Sequence, residues 1–191
     1  NKVDRQLGFA LGQLYVARYF NEDAKTRVAD LVNNLQKAFE TRINQLDWMS
    51  DVTKVQAKEK LYAITKKVGY PDVWRDYGNV NIDKDKYFEN VVALRQNDYQ
   101  YGLDKLHKAP NKDEWGTTPS TVTAYYNPSQ NEIVFPAGIL QFPYFDLQAD
   151  DAINYGGIGM VIGHELTHAF DDQGAQFDKD GNVKNWWTDE D

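Results

Sequence analysis

The feature of this sequence that most constrains its fold is a run of helical periodicity between residues 22 and 46. Apolar side chains recur there three and four positions apart, so they fall on one face of an α-helix. They are Val28, Leu31, Val32, Leu35, Ala38, Phe39, Ile43 and Leu46. A stripe of this length must be covered by other parts of the chain, which predicts a domain built largely on packed helices.

Three more segments have helical spacing and complete the predicted scaffold. They cover residues 3–20, residues from Ser50 to a stop at Gly69 and Pro71, and residues 87–106. The apolar stripe of the first is Val3, Leu7, Ala10, Leu11, Leu14 and Tyr15, and that of the next is Val52, Val55, Leu61 and Ile64. Asn21 and Ser50 are expected to cap the helices that follow them, because their side chains can accept hydrogen bonds from first-turn N–H groups.

The second half of the sequence changes to strand-forming residues. Residues 121–126 and 132–135 are rich in β-branched and aromatic side chains, and Asn127-Pro128-Ser129 lies between them. This pattern predicts two strands joined by a turn. Because proline cannot donate to a β-ladder, Pro136 predicts that the second strand is an edge strand or ends there.

Two further elements are predicted after these strands. The apolar stretch from Ile158 to Phe170 is too long for a strand and predicts a buried helix. Asp180-Gly181, between Phe177 and Val183, predicts a tight turn. The acidic residues near that turn lack the ligand spacing and the closing Glu of a calcium loop, so a calcium site is not expected.

Composition excludes several classes of function. The chain has 21 Lys and Arg against 29 Asp and Glu, a formal net charge of −8, so it lacks the basic face that nucleic acid would require. It has no cysteine, which excludes disulfides, a thiolate nucleophile and a Cys-ligated metal. A bound metal would therefore have to be held by His and carboxylate side chains.

Two of the three histidines lie four residues apart in His164-Glu165-Leu166-Thr167-His168, inside the predicted buried helix. Positions four apart share one face of a helix, so both imidazoles can reach a single ion. Glu165 is offset by one position, which suits a general base acting on a water molecule that the ion activates. Two imidazoles are typical ligands of catalytic zinc, so Zn²⁺ is the predicted cofactor. His107 is expected to be a solvated residue near a helix end.

The third metal ligand is open at this point. The metzincin pattern needs a histidine six residues after His168, and Gly174 stands there. Among the carboxylates that follow, Glu190 has roughly the spacing of the third ligand in thermolysin-like enzymes. However, it lies just after Thr188, which is predicted to cap a helix that begins at the end of the sequence.

Three blocks of this sequence resemble the neprilysin family of zinc metalloendopeptidases. In order, they are Thr123-Ala124-Tyr125-Tyr126, residues 131–141 from Asn131 to Gln141, and residues 163–172 from Gly163 to Asp172. The likeness extends over most of residues 48–191 and is looser in the amino-terminal helices. It implies a mainly helical α+β fold. Residues 1–78 would be a helical segment, and residues 79–191 the amino-terminal half of a thermolysin-like catalytic domain with the motif helix and a small sheet edge.

The resemblance also implies roles for individual residues. His164 and His168 would be zinc ligands, Glu165 the catalytic base, and Asp171 a carboxylate that orients a ligand histidine. The strand at residues 131–135 would be the edge that pairs with an extended peptide substrate, with Thr123 and Ala124 contacting the substrate backbone. The pocket for a large apolar residue after the scissile bond would be lined by Ile139, Tyr144, Met160 and Val161.

In the family the third ligand is a Glu several dozen residues beyond the motif, whereas 23 residues follow His168 here. The resemblance therefore implies an interior piece of a larger peptidase, inactive alone, whose partners are peptide substrates and the carboxy-terminal part of the same protein. The sequence leaves the compartment open, with an extracytoplasmic bacterial location slightly favoured over a cytoplasmic one. Two alternatives stay open: a catalytically incomplete module that binds peptide or zinc, and a helical scaffold in which the motif is accidental.

Overall fold

The computed structural model describes residues 2–191, which form six α-helices and three β-strands. The helices are α1 (Lys2–Tyr19), α2 (Glu22–Asn44), α3 (Asp51–Ala63), α4 (Tyr87–Leu103), α5 (Asp151–Gly156) and α6 (Ile158–Thr167). The strands are β1 (Thr65–Gly69), β2 (Tyr125–Asn127) and β3 (Glu132–Pro136). The mainly helical α+β class is confirmed. Helix α5 and strand β1 were not predicted.

Both predicted helix caps are present. The Asn21 side chain accepts a hydrogen bond from the Ala24 N–H at 2.9 Å, at the start of α2. The Ser50 hydroxyl accepts one from the Thr53 N–H at 3.3 Å, at the start of α3. Each cap satisfies an N–H group that has no partner inside its helix, so the start of each helix was readable from a single polar residue.

The three strands form one small sheet in the order β1-β3-β2. Strand β3 lies in the centre, parallel to β1 and antiparallel to β2. Its residue Ile133 pairs with Lys66 of β1 on one side and with Tyr126 of β2 on the other. The prediction that residues 131–135 form an open edge is therefore wrong, because β1 already occupies that side. Strand β2 is an edge strand instead. Pro136 is the last residue of β3, as its missing N–H requires.

Strand β1 was missed because its sequence, Thr65-Lys66-Lys67-Val68-Gly69, has two adjacent lysines. One of them, Lys67, is buried, and its ammonium lies 2.5 Å from a carboxylate oxygen of buried Glu132 on β3. The Lys67 ammonium also donates to the Glu114 carbonyl at 2.6 Å. A buried charge is tolerated when an opposite charge and hydrogen bonds compensate its lost hydration. The helix predicted to run to Gly69 thus ends at Ala63.

Helix α2 is the centre of the hydrophobic core. Val28 and Val32 are fully buried, and Leu31 and Ile43 nearly so. The same cluster contains Ile158, Ile162 and Leu166 from α6 and Ile133 and Phe135 from β3. This core holds α6 against both the central helix and the sheet. The predicted buried helix is therefore confirmed, although it ends at Thr167 and not at Phe170. The cluster joins residues on both sides of residue 78, and the domain division proposed there stays a prediction.

The buried faces of α1 and α3 differ from the predicted stripes. Helix α1 buries Gly8, Gly12 and Val16, while Val3, Leu11 and Leu14 are exposed. Helix α3 buries Thr53, Ala57, Lys60 and Leu61, while Val52 and Val55 are exposed. In both helices the covered face contains small or polar residues that hydrophobicity does not select, although Leu61 and Ile64 of the predicted α3 stripe are buried.

The turn predicted at Asp180-Gly181 is present, with Phe177 and Val183 bridged across it. Gly181 has a φ of +86°, and a Cβ there would meet the Ser129 carbonyl oxygen at 2.1 Å.

At Thr188 there is a turn in place of the predicted helix start. The Asp191 carboxylate accepts hydrogen bonds from the Thr188 N–H and hydroxyl and from the Ser50 N–H. Among residues 2–191 no helix combines the length and apolar character that crossing a membrane requires.

Candidate metal centre

Helix α6 presents two histidines on the side that faces away from the core. Ile162 and Leu166 anchor its inner face, whereas His164 is exposed and His168 is half-buried at the carboxyl end of the helix. The imidazole centroids are 4.5 Å apart and the rings are nearly perpendicular. Their Nε2 atoms are 3.0 Å apart. The spacing of four residues has thus brought two nitrogen ligands to one point.

The donor set fits zinc. With Zn–N distances of 2.0–2.1 Å and tetrahedral angles, two nitrogen ligands of one ion are about 3.3 Å apart. The observed separation of 3.0 Å needs only a small spreading of the rings. The Nδ1 atom of His168 is hydrogen-bonded to an Asp171 carboxylate oxygen at 2.6 Å. An ionised carboxylate only accepts hydrogen bonds, so it holds the proton on Nδ1 and leaves a lone pair on Nε2.

Asp171 is itself held by the backbone. Its other carboxylate oxygen accepts hydrogen bonds from the N–H groups of Gly174 at 2.7 Å and Gln173 at 3.1 Å. Partial burial acts to raise the pKa of Asp171, but these N–H groups and the His168 ring outweigh it and lower the pKa below its ordinary value. The carboxylate therefore stays ionised and keeps one orientation towards His168.

Glu165 lies beside the histidine pair and is almost completely buried, at 6% exposure. Burial raises the pKa of its carboxyl group, opposed by the two imidazoles and by the backbone N–H of Tyr126. A carboxylate with a raised pKa is a better proton acceptor near neutral pH. The cleft here has a volume of about 370 Å³. It is lined by Ala124, Tyr125, Tyr126, Pro128, His164, Glu165, His168, Asp171, Gln173 and Gly174.

One wall of this cleft is the edge strand β2 with the residue before it. Strand β2 pairs with β3 on one side only, and its Tyr126 N–H reaches the Glu165 carboxylate. The edge beside the candidate metal site is therefore residues 125–127 rather than the predicted 131–135. Ala124 lines the cleft, whereas Thr123, one residue earlier, does not.

Comparison with known proteins now gives the family. Two family models, both described as peptidase family M13, match residues 1–71 and residues 123–191, and together they cover more than half of the chain. The chain belongs to peptidase family M13. The resemblance to the neprilysin family drawn from residues 123–172 is therefore confirmed.

Individual M13 relatives agree with this assignment. Endothelin-converting enzyme 1 of Mus musculus is 46% identical over 195 residues, which cover 97% of this chain and 25% of that protein. The open-state structure of the Mycobacterium tuberculosis zinc metalloprotease ZMP1 matches with a TM-score of 0.91 and 53% identity, over 99% of this chain and 29% of that one. PEPO from Lactobacillus rhamnosis matches with a TM-score of 0.85 and 35% identity, over 94% and 29%. The chain spans about a quarter of the length of the curated relatives it matches.

The four residues predicted to form the substrate pocket do not line the cleft of this M13 chain. Ile139 belongs to the hydrophobic core and Tyr144 is 40% exposed. Met160 is exposed one helical turn before His164, and Val161 is half-buried one turn before Glu165. Met160 and Val161 thus both lie near the histidine face of α6, while Ile139 and Tyr144 lie outside this helix. The pocket they were expected to form stays a prediction.

In the part of the chain that the structure describes, no third protein ligand accompanies the two histidines. Residues 2–191 contain no group of three or more His, Asp or Glu side chains that could hold a metal ion. The Glu190 alternative is therefore wrong for this structure. That residue lies beside Asp191, which is bound to the first turn of α3. His107, expected to be solvated, is exposed.

Sequence reasoning missed one residue that contacts this region. Lys60 on α3 is 1% exposed, and its ammonium donates to backbone carbonyls of the segment that follows α6. No sequence signal pointed to Lys60, because the buried face of α3, which contains Thr53, Ala57, Lys60 and Leu61, is recognisable only in the structure.

Proposed function

We propose that this chain carries the zinc-binding and proton-transfer residues of a metalloendopeptidase that hydrolyses peptides. The observation that supports the proposal most directly is the convergence of the His164 and His168 Nε2 atoms at 3.0 Å, with Asp171 behind one ring and Glu165 beside both. When bound, zinc would supply a Lewis acid that polarises the scissile carbonyl and lowers the pKa of water at the site.

The residues of the chain divide the remaining work. His164 and His168 would hold the ion through Nε2, and Asp171 would fix the orientation and the Nδ1 proton of His168. The Glu165 carboxylate would accept a proton from the attacking water and then deliver it to the leaving amine. Its buried position and raised pKa favour the first of these steps.

An extended peptide would lie along the open side of β2. The backbone of an edge strand offers unpaired N–H and C=O groups, to which a substrate can add as a further strand. Ala124 lines the cleft beside Glu165, which supports it as a backbone contact, with Thr123 preceding it. We propose that the enzyme prefers large apolar residues after the scissile bond. The pocket for such a residue would be formed by Ile139, Tyr144, Met160 and Val161 together with parts of the protein outside this chain.

The site would be completed by a third ligand from outside residues 2–191, since those residues provide none. Two imidazoles supply half of a tetrahedral shell. The 191-residue chain alone is therefore expected to bind zinc weakly and to hydrolyse peptides at a negligible rate. As a second candidate, the chain alone would be a peptide- or zinc-binding module. Zinc titration calorimetry and a fluorogenic peptide assay on the 191-residue chain test both candidates. Tight zinc binding with rapid peptide turnover would contradict the prediction that the site is incomplete in this chain.

In the full-length protein, Glu165→Gln tests the assignment of the base. Turnover should fall by about 10²–10⁴-fold, since general-base catalysis contributes that much. The zinc content should stay near one ion per chain, because Glu165 does not ligate. His107→Asn is the matched control: His107 is exposed and has a φ of +65°, which asparagine tolerates, so zinc content and activity should not change. Loss of zinc in Glu165→Gln would show that the roles are wrongly assigned.

A further inference from the structure

Lys60 is a buried cation whose three partners are all backbone carbonyls. Its ammonium donates to the carbonyl oxygens of Ala169 at 2.7 Å, Gly174 at 2.6 Å and Phe177 at 2.6 Å. An ammonium has three protons, so these bonds use all of them. The side chain is 1% exposed and links α3 to residues more than 100 positions later in the sequence.

These carbonyls belong to the segment that contains Asp171, here called the Asp171 loop (residues 169–177). Ala169 comes directly after the ligand histidine, and Gly174 lies where the loop returns to the end of α6. The return is close: a Cβ on Gly174 would lie 1.8 Å from the His168 carbonyl oxygen. Lys60 therefore binds both ends of the turn that holds the Asp171 carboxylate 2.6 Å from His168 Nδ1.

Several groups around Lys60 attract its positive charge and offset part of the cost of burying it. The rings of Phe170 and Trp186 lie 5.7 Å and 5.4 Å from its ammonium, within the range of cation–π attraction. Carbonyls at the carboxyl end of a helix carry partial negative charge and have no partner inside the helix. Removing the ammonium would take this donor from the buried Ala169 carbonyl and leave the Gly174 and Phe177 carbonyls with one donor each, the Phe177 N–H and the Trp186 indole N–H. The loss disfavours the present course of the loop.

We propose that Lys60 is a positioning residue for the metal centre: it fixes the Asp171 loop so that Asp171 keeps the His168 ring oriented with its Nε2 atom towards His164. The inference rests on the proposed zinc function, because the orientation matters only if His168 is a ligand. Lys60 acts through the loop and touches neither the ion nor the substrate.

The test compares Lys60→Met with Asp171→Asn in the full-length protein. Loss of a residue that orients a ligand histidine typically weakens metal binding by about 10–100-fold, so Asp171→Asn should fall in that range and Lys60→Met near its lower end. Zinc affinity is measured by chelator competition. The double variant should bind zinc no more weakly than Asp171→Asn, because both changes remove the same restraint. Additive losses would overturn the proposal.

A second readout follows the histidine itself. In ¹⁵N-histidine-labelled protein without metal, the Nδ1 proton of His168 should give a slowly exchanging downfield signal, which Lys60→Met should broaden or remove. The matched control is Lys67→Met/Glu132→Gln, which removes another buried lysine together with its partner. This control is expected to lower stability and to leave both the His168 signal and the zinc affinity unchanged. An unchanged signal in Lys60→Met would overturn the proposal.

If Lys60→Met does not fold, two further measurements still test the proposal. Lys60→Gln retains part of the donor capacity and should show the same changes in a milder form. In the unmodified protein, hydrogen exchange over residues 169–177 should be as slow as over α6, and exchange as fast as in a free loop would contradict the fixed loop. If the full-length protein binds no zinc and cleaves no peptide, the proposed function fails, while the His168 signal still decides the role of Lys60.

Discussion

Helices α1 and α2 follow one another in sequence and both carry apolar side chains at helical spacing, yet they differ in what covers them. In α2, Val28 and Val32 are completely buried between α6, α3 and β1. In α1, Leu14 is 72% exposed, and the buried face consists of Gly8, Gly12 and Val16. Similar periodicity has therefore produced one core helix and one peripheral helix.

The difference comes from what each helix packs against. A Cβ on Gly8 would meet a Thr118 side-chain carbon at 2.5 Å, and one on Gly12 would meet the Pro119 ring at 2.7 Å. Helix α1 thus uses its two glycines for a close approach to a loop, and Val3, Leu11 and Leu14 stay exposed. Periodicity identifies a face that favours burial, but the partner decides which face is buried. The metal centre belongs to the α2 side, since α6 packs directly on α2.

The largest effect on stability is expected on that side. Ile162 is fully buried on the inner face of α6, within the core cluster that α6 shares with α2 and β3. Ile162→Ala should lower the free energy of unfolding by about 2–5 kcal/mol, through lost transfer energy and the cavity it leaves. Urea unfolding followed by tryptophan fluorescence measures it. A loss below about 1 kcal/mol would mean that this core is much looser than its burial indicates.

The pH dependence of stability should also be concentrated near the metal centre. Burial lowers the pKa of Lys60 to about 8, with Asp178 and Asp171 opposing the shift. Between pH 8 and the unfolded value of 10.5, the unfolded chain binds more protons at Lys60, so its contribution to stability rises with pH. Below pH 8 the cost of burying the charge is fully present. Relative to Lys60→Met, the unmodified chain should therefore gain stability from pH 7 to pH 10, and a constant difference would contradict the shift.

A smaller effect is expected at the junction of the two helices. The Asn21 side chain caps α2 through the Ala24 N–H. Asn21→Ala should cost about 1 kcal/mol of unfolding free energy, because an N–H at the helix start loses its acceptor. Asn21→Ser is the matched control and should retain most of the stability. Equal losses in both variants would assign the effect to another contact of Asn21.

The smallest effect is expected on the exposed face of α1. Leu14→Ala should change the unfolding free energy by no more than about 0.5 kcal/mol, as is usual for surface substitutions. The same urea experiment applies, with Ile162→Ala as its counterpart. A loss comparable to that of Ile162→Ala would show that this face is covered in solution, and the contrast between the two helices would disappear.

Much of this arrangement was predictable because local signals were strong. The α2 stripe, the Asn21 and Ser50 caps, the apolar α6 and the spacing of His164 and His168 each reflect a short-range rule. The failures have long-range causes. Strand β1 is stabilised by the Lys67–Glu132 pair, and the buried face of α3 contains Lys60, whose partners lie more than 100 residues away. A lysine in isolation predicts exposure, so its burial could not be inferred before its partners were known.

The same long-range contacts have a consequence for the order in which this protein can be made. Helix α2 is covered by α6, whose residues leave the ribosome more than 100 positions after those of α2. At about 5–20 residues per second, that interval lasts roughly 6–25 s. Throughout it, the Val28–Val32 stripe lacks the part of its cover that α6 supplies, and strand β1 lacks its partner until β3 has been made. Ribosome-bound chains arrested before residue 158 should be cleaved readily within α2 by added protease, whereas chains that include α6 should resist. The two histidines of the metal centre can thus take their places only after α2 and the sheet that supports α6 have been made.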